Sequence, residues 1–327
     1  MQVLITSDIA PDWSDLPSDL VVRVCEPEPD AIEVALAGAE VLVSEVLPRR
    51  GASTELRWVQ LLSAGADQLI GHPILERPLL FANAAGVNAV HIAEYIIGRV
   101  LYHFKEFKQF DQLQRDRCWP RDRISLARPS LRDLKAVIIG YGGIGRETAR
   151  LLSSLGVHTS AVAASAGRRL YRGYLPYDGI GDPLALLPEQ VVAPSDMAAL
   201  LPEAHIVVLA TPLLPTTYHM VHATMLASMR PDAILINVGR GALIDTDALL
   251  SALDAGHVAN AYLDVFEQEP LPESSPLWQH PRVSLTPHIS GTMPDHNAKL
   301  RALFLANLER YRAGRTLLNQ LDRSNFS

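Results

Sequence analysis

The chain has 327 residues, of which 48% are hydrophobic and 20% charged, a composition that suits two packed domains and argues against long disordered stretches. Its 36 acidic and 29 basic side chains leave a net charge of −7, which argues against general nucleic-acid or anionic-membrane binding. Cys25 and Cys118 sit in no motif, so neither a disulfide framework nor a cysteine-based metal site is expected.

The opening segment Met1–Asp8 lacks a basic region and reads as a first strand, not a signal peptide. No apolar run approaches the roughly 20 residues of a membrane helix, so no membrane partner is expected and the cytoplasm is the expected compartment. Short β-branched runs follow at 3–6, 21–25, 41–43, 58–62 and 79–82, alternating with helix-like stretches such as 30–37 and 53–57. This alternation predicts a parallel sheet covered on both faces, in a flavodoxin-like domain. Residues 90–110 read as one long helix, with Phe104, Phe107 and Phe110 as a stripe for burial or for a subunit interface. The polar stretch 115–123 opens an Arg-rich region, Arg115 to Arg132, interleaved with acids and read as a salt-bridged surface or interface.

A second alternating series places strands at 137–139, 159–163, 206–210, 234–238, 261–265 and 283–286, six in all, as in a Rossmann dinucleotide-binding fold. The segment 164–195, rich in Gly, Pro and Tyr, reads as a long loop, and 295–313 as a helix that returns to the first domain. The predicted fold class is therefore α/β, with two doubly wound parallel-sheet domains. A substrate domain is expected over 1–102 and 290–327, and a dinucleotide-binding domain over 103–289.

Gly140-Tyr-Gly-Gly-Ile-Gly145 follows one predicted strand and opens a predicted helix at 146–155. In that context Gly140 permits the tight turn, Gly142 the approach of a pyrophosphate and Gly145 the packing of helix on strand. The N–H groups around Gly143 and Ile144 then face the phosphates at the helix N-terminus. An NAD-binding chain places an acid at the end of the next strand for the ribose 2′-hydroxyl. Here Ser160-Ala-Val-Ala-Ala-Ser-Ala-Gly-Arg-Arg169 has none, and Arg168 and Arg169 suit a 2′-phosphate, so NADP(H) is expected to be preferred, with NAD(H) possible.

Arg240, Glu269 and His288 fall at or just beyond the C-terminal ends of successive predicted strands, where an open α/β sheet places its ligand crevice. Arg can hold a substrate carboxylate bidentately, and His can protonate a carbonyl oxygen as hydride reaches the carbon. Glu can orient the imidazole and favour its charged form. All four lysines, Lys105, Lys108, Lys135 and Lys299, lie outside these motifs, which disfavours Schiff-base chemistry. His219 and His222 have no evident third partner for a metal.

Together these pieces resemble the D-isomer-specific 2-hydroxyacid dehydrogenase family over nearly the whole chain. The resemblance rests on Leu61-Leu-Ser-Ala-Gly-Ala-Asp67, Asn83-Ala-Ala-Gly-Val-Asn88 with Ala93-Glu94, and the Gly140–Gly145 turn. It continues through Thr211-Pro212 with Thr217, Asn237–Gly241, Asp264–Pro270 and Pro287-His288. It implies that Arg240 and His288 contact substrate, that Glu269 supports His288, and that the backbone of Ser63, Ala64 and Gly65 binds the substrate carboxylate. Thr211, Pro212, Thr217, Val238, Gly239, Arg240, Asp264, His288 and Gly291 would line the cofactor, Asp264 near the nicotinamide amide. Ala64 stands where phosphite-oxidising relatives carry Lys, and Glu269 where formate-oxidising relatives carry Gln. The expected activity is interconversion of 2-oxo and D-2-hydroxy acids, in the direction of a glyoxylate- or hydroxypyruvate-type reductase, by a homodimer whose interface includes 104–123. A cofactor-sensing corepressor-like protein and an inactive binding module remain the alternatives.

Overall fold

The structure, a computed structural model, describes residues 1–9, 13, 16–51, 53–122, 128 and 130–326. Two parallel sheets organise them. The first joins β1 (Gln2–Thr6), β2 (Val21–Cys25), β3 (Val41–Ser44), β4 (Trp58–Leu61) and β5 (Leu80–Ala82) in the order β2-β1-β3-β4-β5. That is the flavodoxin-like order. Val3 and Ile5 point into one core and Leu4 into the other, because successive side chains of a strand leave on opposite faces. One face is covered by α1 (Pro29–Ala35) through Ile32. The other is covered by α7 (His296–Arg312), where Phe304 stacks on Trp58 at 5.4 Å and meets Trp13 at 5.2 Å. The expected return of the last helix to the first sheet is therefore seen.

The second sheet runs β12-β11-β10-β9-β6-β7-β8. Its strands are β6 (Lys135–Ile139), β7 (His158–Val162), β8 (Val191–Val192), β9 (Ile206–Leu209), β10 (Ile234–Asn237), β11 (Asn260–Leu263) and β12 (Val283–Leu285). This is the Rossmann order with a seventh strand added. The sequence reading of six strands misses β8, which hides in the 164–195 segment. Two valines pairing with Ala161 and Val162 are too short a run to show periodicity. Both faces are packed: Val137 and Ile139 face one core, Ala136 and Ile138 the other. Helices α4 (Gly143–Ser154), α5 (Ala223–Ala227) and α6 (Thr246–Asp254) lie against them.

Two further readings need correction. Residues 53–57 form a turn, not a helix: Ser53 and Thr54 spend their hydroxyls on the Glu55 carboxylate, at 3.1 and 2.7 Å, in competition with helical bonding. Residues 90–110 are not one helix. α2 (Ala89–Phe104) and α3 (Phe107–Arg115) are separated by Glu106 at φ +56°, a left-handed residue that no α-helix accommodates. α2 buries Ile92, Ile96 and Val100 in the core of the second sheet, against α4. α3 buries no residue, and Phe107 and Phe110 stand 47% and 39% exposed, whereas Phe104 packs partly inward. Arg128 pairs with Glu106 at 3.3 Å, and Arg123 lies outside the described residues. Among the described residues no helix is long and apolar enough to cross a membrane.

Candidate active site

Strand order reverses between β6 and β9, and the glycine-rich turn opens at that point. Gly140 takes φ +101°, and a Cβ there would lie 2.5 Å from the Ala210 carbonyl, so the turn after β9 can close only on glycine. A Cβ on Gly145 would meet the Gly140 carbonyl oxygen at 2.1 Å, which sets the close seat of α4 on β6. A Cβ on Gly142, by contrast, would meet no heavy atom within 4 Å. The turn thus presents open space to the start of α4, which includes Gly143 and Ile144, and it fits a dinucleotide pyrophosphate. The helix begins at Gly143, three residues before the sequence suggests, because glycines there read as loop.

Thr211 and Pro212 follow β9, and Thr217 Oγ1 ties their turn together through the Pro212 carbonyl and the Leu214 N–H, both at 2.8 Å. Val238 is buried. Gly239 sits so near the Thr211 carbonyl that a Cβ would approach it to 2.8 Å. The turns after β9 and β10 therefore form one wall.

Arg240 leaves that wall toward the first sheet. Its Nε donates to Asp67 Oδ1 at 3.1 Å, and Nη1 to the Gly239 carbonyl at 2.9 Å. Nη2 lies over Gly65, where a Cβ would come within 1.7 Å of it. Gly65 belongs to the loop after β4. Its neighbours are fixed by Ser63 Oγ on the Gly65 carbonyl at 2.9 Å and by Asn83 Nδ2 on the Ala64 carbonyl at 2.6 Å. Ser63, Ala64, Gly65 and Arg240 are thus brought together from two sheets.

Gly241 packs on the Phe266 backbone so tightly that a Cβ would overlap it at 1.8 Å. The Phe266 N–H donates to Glu269 Oε1 at 2.9 Å, and Oε2 faces His288 Nδ1 at 2.7 Å. That pairing leaves Nε2 as the free end of the ring. His288 stands at φ +50°, held by its N–H on the Asp264 carbonyl at 2.8 Å. The Asp264 carboxylate is fully buried. It accepts from Thr286 Oγ1 at 2.6 Å, the Ile289 N–H at 3.0 Å and the Ser290 N–H at 3.0 Å. The same Thr286 hydroxyl is 2.7 Å from Tyr95 of α2. Gly291 lies against Asn88.

Arg168 and Arg169 are exposed beyond the end of β7. Arg168 Nη2 donates to the Pro188 carbonyl at 3.1 Å, and the Arg169 carbonyl accepts from Arg146 at 3.0 Å. The sequence reading gave no role to Asp67, Tyr95 or Arg146. Asp67 lies inside the Leu61–Asp67 run, a signal for its place but not for its ion pair. Tyr95 and Arg146 carry none, since their partners are 191 and 36 residues away.

Comparison with known proteins gives the same picture. The family described as "D-isomer specific 2-hydroxyacid dehydrogenase, NAD binding domain" matches residues 97–290. A glyoxylate reductase of Thermofilum pendens is 30% identical over 79% of this chain and 72% of its own length. A D-isomer specific 2-hydroxyacid dehydrogenase from Xanthobacter autotrophicus Py2, solved with NADPH and MES, is 25% identical with a TM-score of 0.80, covering 99% of both chains. An NADPH-dependent glyoxylate/hydroxypyruvate reductase from Sinorhizobium meliloti, solved with NADP and sulfate, superposes with a TM-score of 0.80 at 21% identity, over 100% of this chain and 99% of that one.

Proposed function

The chain belongs to the D-isomer specific 2-hydroxyacid dehydrogenase family, and from that premise we propose that it is an NADPH-preferring reductase of small 2-oxo acids, of the glyoxylate and hydroxypyruvate type. The observation that carries the reading is the connected set Gly65–Arg240 and Glu269–His288 at the strand ends, joined through the Gly241–Phe266 contact.

The substrate carboxylate is held by the backbone of Ser63, Ala64 and Gly65 and by Arg240, whose Nη2 lies over that loop. When bound, the reduced nicotinamide would supply the hydride that the carbonyl carbon takes up. His288 gives the proton on Nε2 to the carbonyl oxygen, which yields the hydroxyl, and Glu269 keeps the ring oriented through Nδ1. Such proton transfer contributes roughly 10²–10⁴-fold. Asp264 fixes the turn that carries His288. Gly140, Gly142, Gly143, Ile144 and Gly145 form the pyrophosphate seat, flanked by Thr211, Pro212, Thr217, Val238, Gly239 and Gly291.

The NADP preference is supported by the lack of an acid after β7 and by the exposed Arg168 and Arg169. The Xanthobacter structure solved with NADPH and the Sinorhizobium structure solved with NADP agree with it. We further assign 1–102 with 290–327 to the substrate side and 103–289 to the cofactor side, except that α2, inside the first range, packs on the second sheet. The protein works as a cytoplasmic homodimer whose interface includes 104–123, a reading supported by the exposed Phe107 and Phe110.

A panel of 2-oxo acids assayed at 340 nm with NADPH and NADH tests the reading. Turnover of glyoxylate or hydroxypyruvate with the lower KM for NADPH is expected. A clear NADH preference removes the cofactor assignment, and no turnover of any 2-oxo acid leaves a binding protein.

A further inference from the structure

The segment after β7, longer than a simple strand connection, does not hang free. It folds back over the start of α4. The Tyr171 hydroxyl oxygen lies beside Gly143, the first residue of that helix. A Cβ on Gly143 would lie 3.1 Å from the same oxygen. The hydroxyl proton is poorly used: it points to the Tyr174 carbonyl at 3.5 Å, too long for a good O–H···O bond. Burial pushes the phenol up to about 12, so it keeps that proton at neutral pH.

The tyrosine is also fixed from several sides. Its own N–H donates to the Pro183 carbonyl at 2.8 Å. The Tyr174 N–H donates to Asn319 Oδ1 at 3.0 Å, on the chain's last stretch beside the first sheet. Gly86 packs so closely on the Tyr174 carbonyl that a Cβ would lie 2.0 Å from it. The Arg146 guanidinium lies 5.1 Å from the Tyr171 ring centre and 4.7 Å from that of Tyr141, donating to three backbone carbonyls. A preorganised donor with an ill-satisfied proton therefore stands at the helix end that faces open space at Gly142.

We propose that Tyr171 is a pyrophosphate-binding residue of the cofactor site, its hydroxyl standing in for the side chain that Gly143 lacks. This rests on the dinucleotide reading above. The phenol gives its own proton to a phosphate oxygen, extending the helix N-terminus by one donor. Because both dinucleotides carry the pyrophosphate, the hydroxyl serves both alike and leaves the 2′-phosphate choice to other groups.

The test is Tyr171→Phe, which keeps the ring and its packing. Dissociation constants for NADPH and NADH are measured by titration calorimetry, with the thermal midpoint of the cofactor-free protein alongside. A loss of about tenfold or more in affinity for both dinucleotides, by a similar factor and with the midpoint unchanged, is expected from removing a hydrogen bond to a charged group. Unchanged or tighter binding overturns the proposal. A loss confined to one dinucleotide, or one accompanied by a lower midpoint, overturns it too. If the wild-type protein binds neither dinucleotide, the functional reading itself fails.

Discussion

Arg240 and Asp67, 173 residues apart in sequence, form an ion pair of 3.1 Å that joins the loop after β10 to the loop after β4. The pair does more than hold two sheets together. It uses Nε and so fixes the plane of the guanidinium, leaving Nη2 over Gly65. Arg240→Lys keeps the charge but loses this fork. We expect KM for the 2-oxo acid to rise at least tenfold in steady-state assays, with dinucleotide affinity unchanged in calorimetry. An unaltered KM would remove Arg240 from carboxylate binding.

Substitutions in the His288–Glu269 pair test the proposed proton transfer apart from cofactor binding. His288→Ala should lower kcat by roughly 10²–10⁴-fold while NADPH still binds. Glu269→Gln keeps a hydrogen-bond acceptor for Nδ1 but not the charge, and its loss of kcat should be smaller than that of His288→Ala. A His288→Ala protein with wild-type kcat would refute the proton-donor role.

Asp264 supports that histidine from beneath. Asn at 264 would bring an amide N–H₂ toward a hydroxyl and two backbone N–H groups that all require an acceptor. We expect a loss of about 2–3 kcal/mol in urea unfolding and a fall in kcat as the 286–290 turn loosens. Wild-type stability would show that water or rearrangement satisfies those donors.

Burial raises several phenols. Tyr171 and Tyr311 are pushed up to about 12, and Tyr141 and Tyr262 are raised as well, all mainly by desolvation. Below pH ~10 folded and unfolded chains both keep these protons, so stability is independent of them. Above that pH the unfolded chain ionises first, and stability falls as pH rises toward 12. Thermal midpoints between pH 8 and 11.5 should be flat and then decline. Tyr141→Phe should show a lower plateau, because it loses the 2.7 Å bond to Asp182, but a shallower decline.

The exposed face of α3 bears on assembly. Replacing both Phe107 and Phe110 by Glu should convert a species of twice the 35.8 kDa chain mass into one of that mass, as read by light scattering. A wild-type monomer would remove the dimer proposal.

The strand positions of both sheets were legible because buried parallel strands are short β-branched runs. The glycine turn was legible because Gly140 and Gly145 answer backbone demands that few other residues meet. The order of Arg240, Glu269 and His288 was legible through their motifs. Other features were not. β8 is too short to show a period, and the left-handed Glu106 that splits α2 from α3 has no sequence mark. The 164–195 segment reads as loop by composition, yet Asp182 binds Tyr141 Oη and the amides of Leu186 and Leu187, and Glu147 binds the Gly181 N–H at 2.6 Å. Such long-range polar bonding follows no local pattern.

The seat of Phe304 between Trp13 and Trp58 has a temporal consequence. On the ribosome, the first sheet emerges long before α7, and one of its faces stays bare while the whole second sheet is made. At ~5–20 residues per second that interval lasts on the order of tens of seconds. The order of synthesis thus favours completion of the later sheet first, with the earlier one sealed only by the last helix to appear.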